Sequence, residues 1–140
     1  MSRLHPNPDE GGAHRFLSGV RRNAPPGRLM NARTGQAVAD AAELALTSAS
    51  RRRGLLGRDR LDPGAALVIA PCNSIHTFFM RFAIDVAFVD RDGQVLRIKA
   101  TVRPWRLAVT LRAFAVVELA AGELMRAKIQ CGDRLLLARE

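Results

Sequence analysis

Six even-numbered positions in a row, Phe78, Met80, Phe82, Ile84, Val86 and Phe88, are large and apolar. Side chains alternate between faces along a strand, so this run describes one strongly buried face of a sheet. The odd positions between them, Thr77, Phe79, Arg81, Ala83, Asp85 and Ala87, are mixed. A helical spacing (Ile75, Phe79, Phe82, Val86, Val89) also exists, but the β-branched and aromatic content favours strands. One strand from 74 to 89 would exceed the usual ~3–10 residues. A bend or bulge near Arg81–Ala83 is therefore expected, and a bulge would reset the parity on one side of it. Asp90-Arg91-Asp92-Gly93 then predicts a hairpin turn, with Val95 to Val102 returning as a strand whose apolar face is Leu96, Ile98, Ala100 and Val102.

The flanking sequence extends this pattern. Thr34-Gly35 marks a turn, and Val38, Ala42, Leu44 and Leu46 share one parity of a strand. TSASRRRGLLG predicts a short helix, capped by Thr47 or Ser48 and closed by Gly57 in a left-handed conformation. Pro63-Gly64 turns into a strand from Ala66 to Ile69. RPWR breaks the strand at Pro104, AFAVVEL (113 to 119) is a further strand, and AAGELMRAK a second short helix. Gly132-Asp133 turns into a last strand. About seven short strands and two short helices describe a compact, sheet-dominated α+β domain, with an antiparallel or mixed sheet rolled into a partial barrel. A chain of 140 residues suits one such domain, placed here at residues 28–140. Residues 1–27 hold four of the seven prolines and four of the eleven glycines and are read as a disordered basic tail. Met30, at the edge of the ordered part, is a candidate translation start.

The chain carries 22 Lys and Arg against 13 Asp and Glu, for a net charge of +9. Only Lys99 and Lys128 are lysines, and arginine suits planar contacts with phosphate and carboxylate. Residues 1–36 hold six arginines against Asp9 and Glu10, a net +4 that leaves +5 for the remaining residues. No dense basic stripe with interleaved aromatics appears, so nucleic acid is not the favoured partner. The N-terminus shows no apolar core of a signal peptide, and no segment reaches the length of a membrane span. A cytoplasmic protein with no membrane partner is expected. Cys72 and Cys131 could form one bridge, yet nothing marks an oxidising compartment.

Several segments taken in order, RRRGLLGR (51 to 58), PCNSIHTFFMRFAIDVAFVDRDGQVLR (71 to 97), RPW (103 to 105), VVELAAG (116 to 122) and GDRL (132 to 135), together resemble the DUF192 family of uncharacterised bacterial and archaeal proteins. The resemblance runs from about residue 29 to the end. It implies a small β-rich domain with a short helix carrying R-x-x-G-L-x-G, and it implies no activity. The family commonly has proline where this chain has Ala83 and Ala120, which implies a strand break near 83 and a turn near 120. The family residue at Cys131 is more often a small aliphatic, which argues against a bridge to Cys72.

Three groups of residues could carry chemistry. Cys72 and His76 could form a nucleophilic pair or half of a zinc site. In a straight strand residues four apart stand roughly 13 Å from each other, so the pair needs a turn at Asn73-Ser74. The remaining soft ligands, Cys131, His5 and His14, are poorly placed, and no metal or other cofactor is expected. The plain alternative is a small buried cysteine and a hydrogen-bonded histidine. Arg81 and Asp85 share a parity with Thr77, where Asp85 could bind a ligand hydroxyl or act as a base; otherwise the two form an ion pair on a partly covered face. Arg51, Arg52, Arg53 and Arg58 could contact phosphate, helped by Arg103 and Arg106 beside Trp105. Otherwise they offset a helix dipole while Trp105 caps the core.

The leading expectation is a non-enzymatic binding or accessory domain for a small polar or anionic ligand. Its site would be a cleft formed by Asn73, Ser74, His76, Thr77, Arg81, Asp85, Arg103 and Trp105. The alternatives are a hydrolase or transferase using Cys72, His76 and Asp85, and weak charge-driven nucleic-acid binding.

Overall fold

The structure, a computed structural model, describes residues 16–21 and 23–138. Among them run nine strands and two short helices. They are β1 (Gly27–Asn31), β2 (Ala37–Ala45), α1 (Ser48–Arg53), β3 (Ala65–Ile69), β4 (Ser74–His76), β5 (Ile84–Val89), β6 (Val95–Val102), β7 (Leu107–Val109), β8 (Ala115–Ala120), α2 (Glu123–Arg126) and β9 (Leu135–Ala138). Seven strands form one strongly curled sheet, a half-barrel in the order β6-β5-β8-β3-β2-β1-β9, while β4 and β7 pair as a separate ribbon. Only β2 and β3 run parallel, across the crossover that carries α1; the other pairs are antiparallel.

The curl follows from hydrogen bonds that join the two edges of the sheet at one end. The Val95 N–H donates to the Asp133 carbonyl at 2.7 Å, Gly132 N–H to Val95 at 2.8 Å and Leu135 N–H to Gly93 at 2.8 Å. Gly93 sits at φ 83°, and a Cβ there would run into the Leu135 carbonyl oxygen. Gly93→Ala combines left-handed strain with a backbone clash. It should cost about 3 kcal/mol, measured as a lower guanidinium midpoint with unchanged slope; a loss under ~0.5 kcal/mol would show that the edges join less tightly than this.

The central strands β5 and β8 are buried at all twelve positions. Ala87, Val89, Ala115, Val117 and Leu119 face one apolar cluster, with Leu29, Val38 and Leu135. Ile84, Val86, Phe88 and Val116 face a second, with Leu55, Leu67, Ile69, Ile75 and Met80. The period-2 reading therefore holds for Ile84 to Phe88 but not before it. Residues 77–83 are a loop, with Phe79 at φ 63°. The cause is Thr77, which is buried and tied to residues 103–106 instead of continuing a strand. Its Oγ1 donates to the Arg103 carbonyl at 2.6 Å and accepts from Arg106 N–H at 2.9 Å.

Other local expectations shift for similar reasons. Gly54 at φ 47°, not Gly57, closes α1, because the helix is only six residues long; Thr47 is its N-cap, in a reciprocal capping box with Ser50. In β2 the buried set is Val38, Ala39, Ala42 and Ala45, since register shifts against β1 reset the parity. In β6, Val95 and Val102 are buried while Ala100 is exposed, again across register shifts. The Arg81–Asp85 ion pair does not form. Arg81 is exposed in the 77–83 loop and pairs with Asp59, while Asp85 is fully buried in β5. Within the stretch read as a tail, Phe16 is buried in the first cluster and its N–H donates to the Arg91 carbonyl at 2.9 Å. Residues 1–15, with His5 and His14, lie outside the described residues.

Candidate functional site

The expected site residues are scattered over the domain. Asp85 lies on the face of the sheet toward α2, where it accepts from the N–H groups of Thr101 (2.8 Å), Gly122 (3.0 Å) and Leu124 (2.9 Å). It ties β6 and the start of α2 to the central strand. Thr77 is the buried knot between two loops described above. Arg81 is on the surface with Asp59. Trp105 does not cap the core: it is 57% exposed, beside Phe78 and Phe79, and Arg103 next to it is exposed too.

Only the segment around Cys72 reaches a cavity on the opposite face of the sheet. There the end of α1, the end of β3 and the start of β4 enclose about 130 Å³, lined by Arg51, Arg52 and Arg53, by Cys72, Ser74 and His76, and by Glu118. Leu55, Leu56, Ile69, Ile75 and Met80 supply the apolar walls. A cavity of this size is of the order that holds one six-membered ring. Asn73 instead borders a wider open cleft of about 560 Å³ with Asp90, Arg91 and Arg112. Two of the charges in that cleft are already engaged: Asp90 Oδ1 accepts two N–H groups of its own turn, and Arg91 lies over the Phe114 ring.

Glu118 is the residue that the sequence reading missed. It sits in β8 between Leu67 of β3 and Val86 of β5, in register with both. Its parity is that of Val116, so it points into the apolar second cluster. The side chain is buried, and Oε2 has no hydrogen-bond partner. A buried acceptor without a donor is rare in folded proteins, and it asks for an explanation. Loss of hydration pushes the Glu118 carboxyl up to about 7, against a smaller opposing pull from Arg58. A lone carboxylate among valines and a leucine, in a strand with no cation, was the signal available in AVVEL.

The proposed nucleophilic set does not assemble. The Cys72 thiol is held up by burial and donates to the Ser74 carbonyl at 2.9 Å, so it is a protonated thiol at neutral pH. The His76 ring stacks on Phe78 at 5.1 Å, and Asp85 lies across the sheet. Cys72 and Cys131 are both free thiols. No group of three or more histidine, cysteine or carboxylate side chains that could hold a metal occurs among the described residues.

The half-barrel, with its crossover helix and a buried acid on each face of its central strands, has counterparts among known proteins. A family model for DUF192, described as Uncharacterized ACR, matches residues 29–137. The chain belongs to the DUF192 family. Relatives include a UPF0127 protein of Pyrococcus abyssi, 37% identical over 81 residues that make up 53% of this chain and 68% of that one. Another, from Pyrococcus furiosus, is 38% identical over 63 residues, covering 44% of this chain and 53% of that one. Two crystal structures share the fold at 24% identity. One is a "putative transcription regulator" from Sinorhizobium meliloti, with a TM-score of 0.70, covering 81% of this chain and 92% of that one. The other is a protein of unknown function from Novosphingobium aromaticivorans, with a TM-score of 0.67 and coverages of 79% and 82%. This DUF192 domain starts β5 at Ile84 and ends β8 at Ala120, where the family resemblance implied a break and a turn. No helix among its described residues is long and apolar enough to cross a membrane.

Proposed function

We propose that this DUF192 domain is a non-enzymatic binding module whose ligand enters the cavity between α1 and β4 and donates a hydrogen bond to Glu118. The observation that carries the reading is Glu118 Oε2, buried and unpartnered at the floor of that cavity. The floor asks for a hydroxyl or amine donor. At the rim, Arg52 and Arg53 are exposed and suit a carboxylate or phosphate. A small molecule with a donor at one end and an anionic group at the other satisfies both. The protonated thiol of Cys72 supports binding over covalent chemistry.

The test is a thermal-shift titration with lactate, glycerate, serine and phosphoethanolamine at pH 6 and pH 8. A binder at 100 times its Kd stabilises the native state by about 2.7 kcal/mol. The shift should vanish in Glu118→Leu and weaken in the double variant Arg52→Ala/Arg53→Ala. A flat response to all four, or a shift that survives in Glu118→Leu, would sink the assignment.

A further inference from the structure

The β4–β7 ribbon leaves one face uncovered. Ile75 and Ala108 point inward and are buried, so their neighbours point outward: Ser74 opposite Val109, and His76 opposite Leu107. Outward positions on a sheet exposed to water are normally polar. Here the chain continues the face with hydrocarbon. The His76 ring stacks on Phe78, Phe78 lies 5.9 Å from Trp105, and Trp105 lies 4.7 Å from Phe79. Phe79 is 72% exposed and Leu107 62%.

This exposure is built in. Phe79 and Trp105 both adopt left-handed backbone, at φ 63° and 66°, which is rare for bulky side chains. Thr77 holds both loops in place: its carbonyl accepts the Trp105 N–H at 3.0 Å, and its hydroxyl bridges Arg103 and Arg106. Two aromatic tips are thus fixed outward by a buried knot. Strained residues persist where surrounding structure over-determines them, often at binding surfaces.

Charge decides what the face fits. Arg103 and Arg106 flank Trp105, and Arg97 donates to the Val109 carbonyl at 3.1 Å at the other end of the ribbon. Among the described residues none of these three forms an ion pair with a carboxylate. An apolar centre with an unneutralised arginine rim complements a surface that is oily within and anionic at its edge. A second copy would set one arginine rim against another. Leu107 and Val109 have no ring on which a base could stack, so single-stranded nucleic acid would leave half the face unused.

We propose that the outer face of the β4–β7 ribbon, with Phe78, Phe79, Trp105 and Leu107 at its centre and Arg97, Arg103 and Arg106 at its rim, docks onto the surface of an anionic lipid bilayer. Aromatic rings lodge at the headgroup level and arginines meet lipid phosphates. This runs against the expectation of no membrane partner, which rested on the lack of a signal-peptide core and of a spanning segment. The face borders the cavity on Glu118 through Ser74 and His76, but none of Phe78, Phe79, Trp105 and Leu107 lines that cavity.

Trp105 is the single tryptophan of the chain and reports directly on the face. The full-length protein is titrated with phosphatidylcholine vesicles, with 7:3 phosphatidylcholine–phosphatidylglycerol vesicles and with oligo(dT), and followed by tryptophan emission and iodide quenching. The mixed vesicles should blue-shift the emission and shield it, with affinity at least tenfold above that for neutral vesicles and falling with added salt. Phe79→Asn, which suits the left-handed backbone, and Arg103→Glu/Arg106→Glu should each weaken binding at least tenfold while the melting temperature holds. Three results overturn the proposal: no blue shift with anionic vesicles at low ionic strength, a response to oligo(dT) alone, or emission already blue-shifted and shielded in a self-associated protein without lipid.

Discussion

Asp85→Ala is expected to cost 3–5 kcal/mol of folding stability, the largest loss foreseen for any single side chain here. The Asp85 carboxylate is fully buried and accepts three backbone N–H groups, from Thr101, Gly122 and Leu124. The Gly122 N-cap of α2 has no side chain with which to cap the helix, and Thr101 sits at φ 53°, so neither segment supplies a substitute acceptor. Orphaning a buried N–H costs about 1–3 kcal/mol, and bonds to a charged acceptor lie at the upper end. Against a typical total of ~5–15 kcal/mol for a domain, that approaches unfolding at 37 °C. Asp85→Asn keeps the shape but turns a donor toward donors, and about half the loss should remain. Guanidinium midpoints give the totals. Hydrogen exchange gives the location, with Thr101, Gly122 and Leu124 amides losing protection first. A loss below ~1 kcal/mol for the alanine variant would show that the carboxylate is not the clamp described here.

How far the sequence reveals such roles depends on the range of the interaction that sets them. Alternation from Ile84 to Phe88 is a local property of a strand, and it is legible as it stands. So are a helix start at Thr47 or Ser48 and the turn ending at Gly93, each fixed within a few residues. The 77–83 loop is not, because Thr77 bonds to partners 26 and 29 residues away, and only those bonds stop the strand. The two acids make the same point. Asp85 and Glu118 each stand in a run of apolar residues, yet only Asp85 reads from the sequence as a candidate for chemistry. Asp85 is satisfied by N–H groups 16 to 39 residues distant, delivered by the docking of α2. Glu118 Oε2 has no hydrogen-bond partner. Which of two similar carboxylates is left unpartnered is decided by what packs against each face of the half-barrel, and local pattern does not carry that information. The arginine-rich segment after Thr47 was legible as a helix with basic residues at its end, but its proximity to Glu118 was not.

Glu118 makes the second large effect, and its sign is opposite. Its carboxyl is raised from 4.5 to about 7 by loss of hydration in the folded state. Between those two values the native protein holds a proton that the unfolded chain has released, so stability falls as pH rises across the window and levels off above it. At ~1.36 kcal/mol for each unit, the loss from pH 4.5 to pH 8 is about 3 kcal/mol. Asp133 acts at the other limb: hydrogen bonded to Arg33, it is lowered from 3.8 to about 2, so its contribution is present above 3.8 and lost as the pH falls through 2. Denaturant midpoints measured from pH 4 to pH 9 should therefore decline toward alkaline pH in the native sequence. In Glu118→Leu that decline should flatten, leaving the variant more stable by about 3 kcal/mol at pH 8, or on the order of 10 °C in Tm. An unchanged pH slope in the variant would mean that Glu118 is solvated or paired in the folded protein. If the slope does flatten, the native sequence keeps a residue that weakens its fold by a large fraction of a domain's stability. Packing gives no reason to keep it, whereas a cavity that presents an unpartnered acceptor to a hydrogen-bond donor does. The same variant thus gains stability where it should lose the ligand, and that opposition separates a binding residue from a structural one.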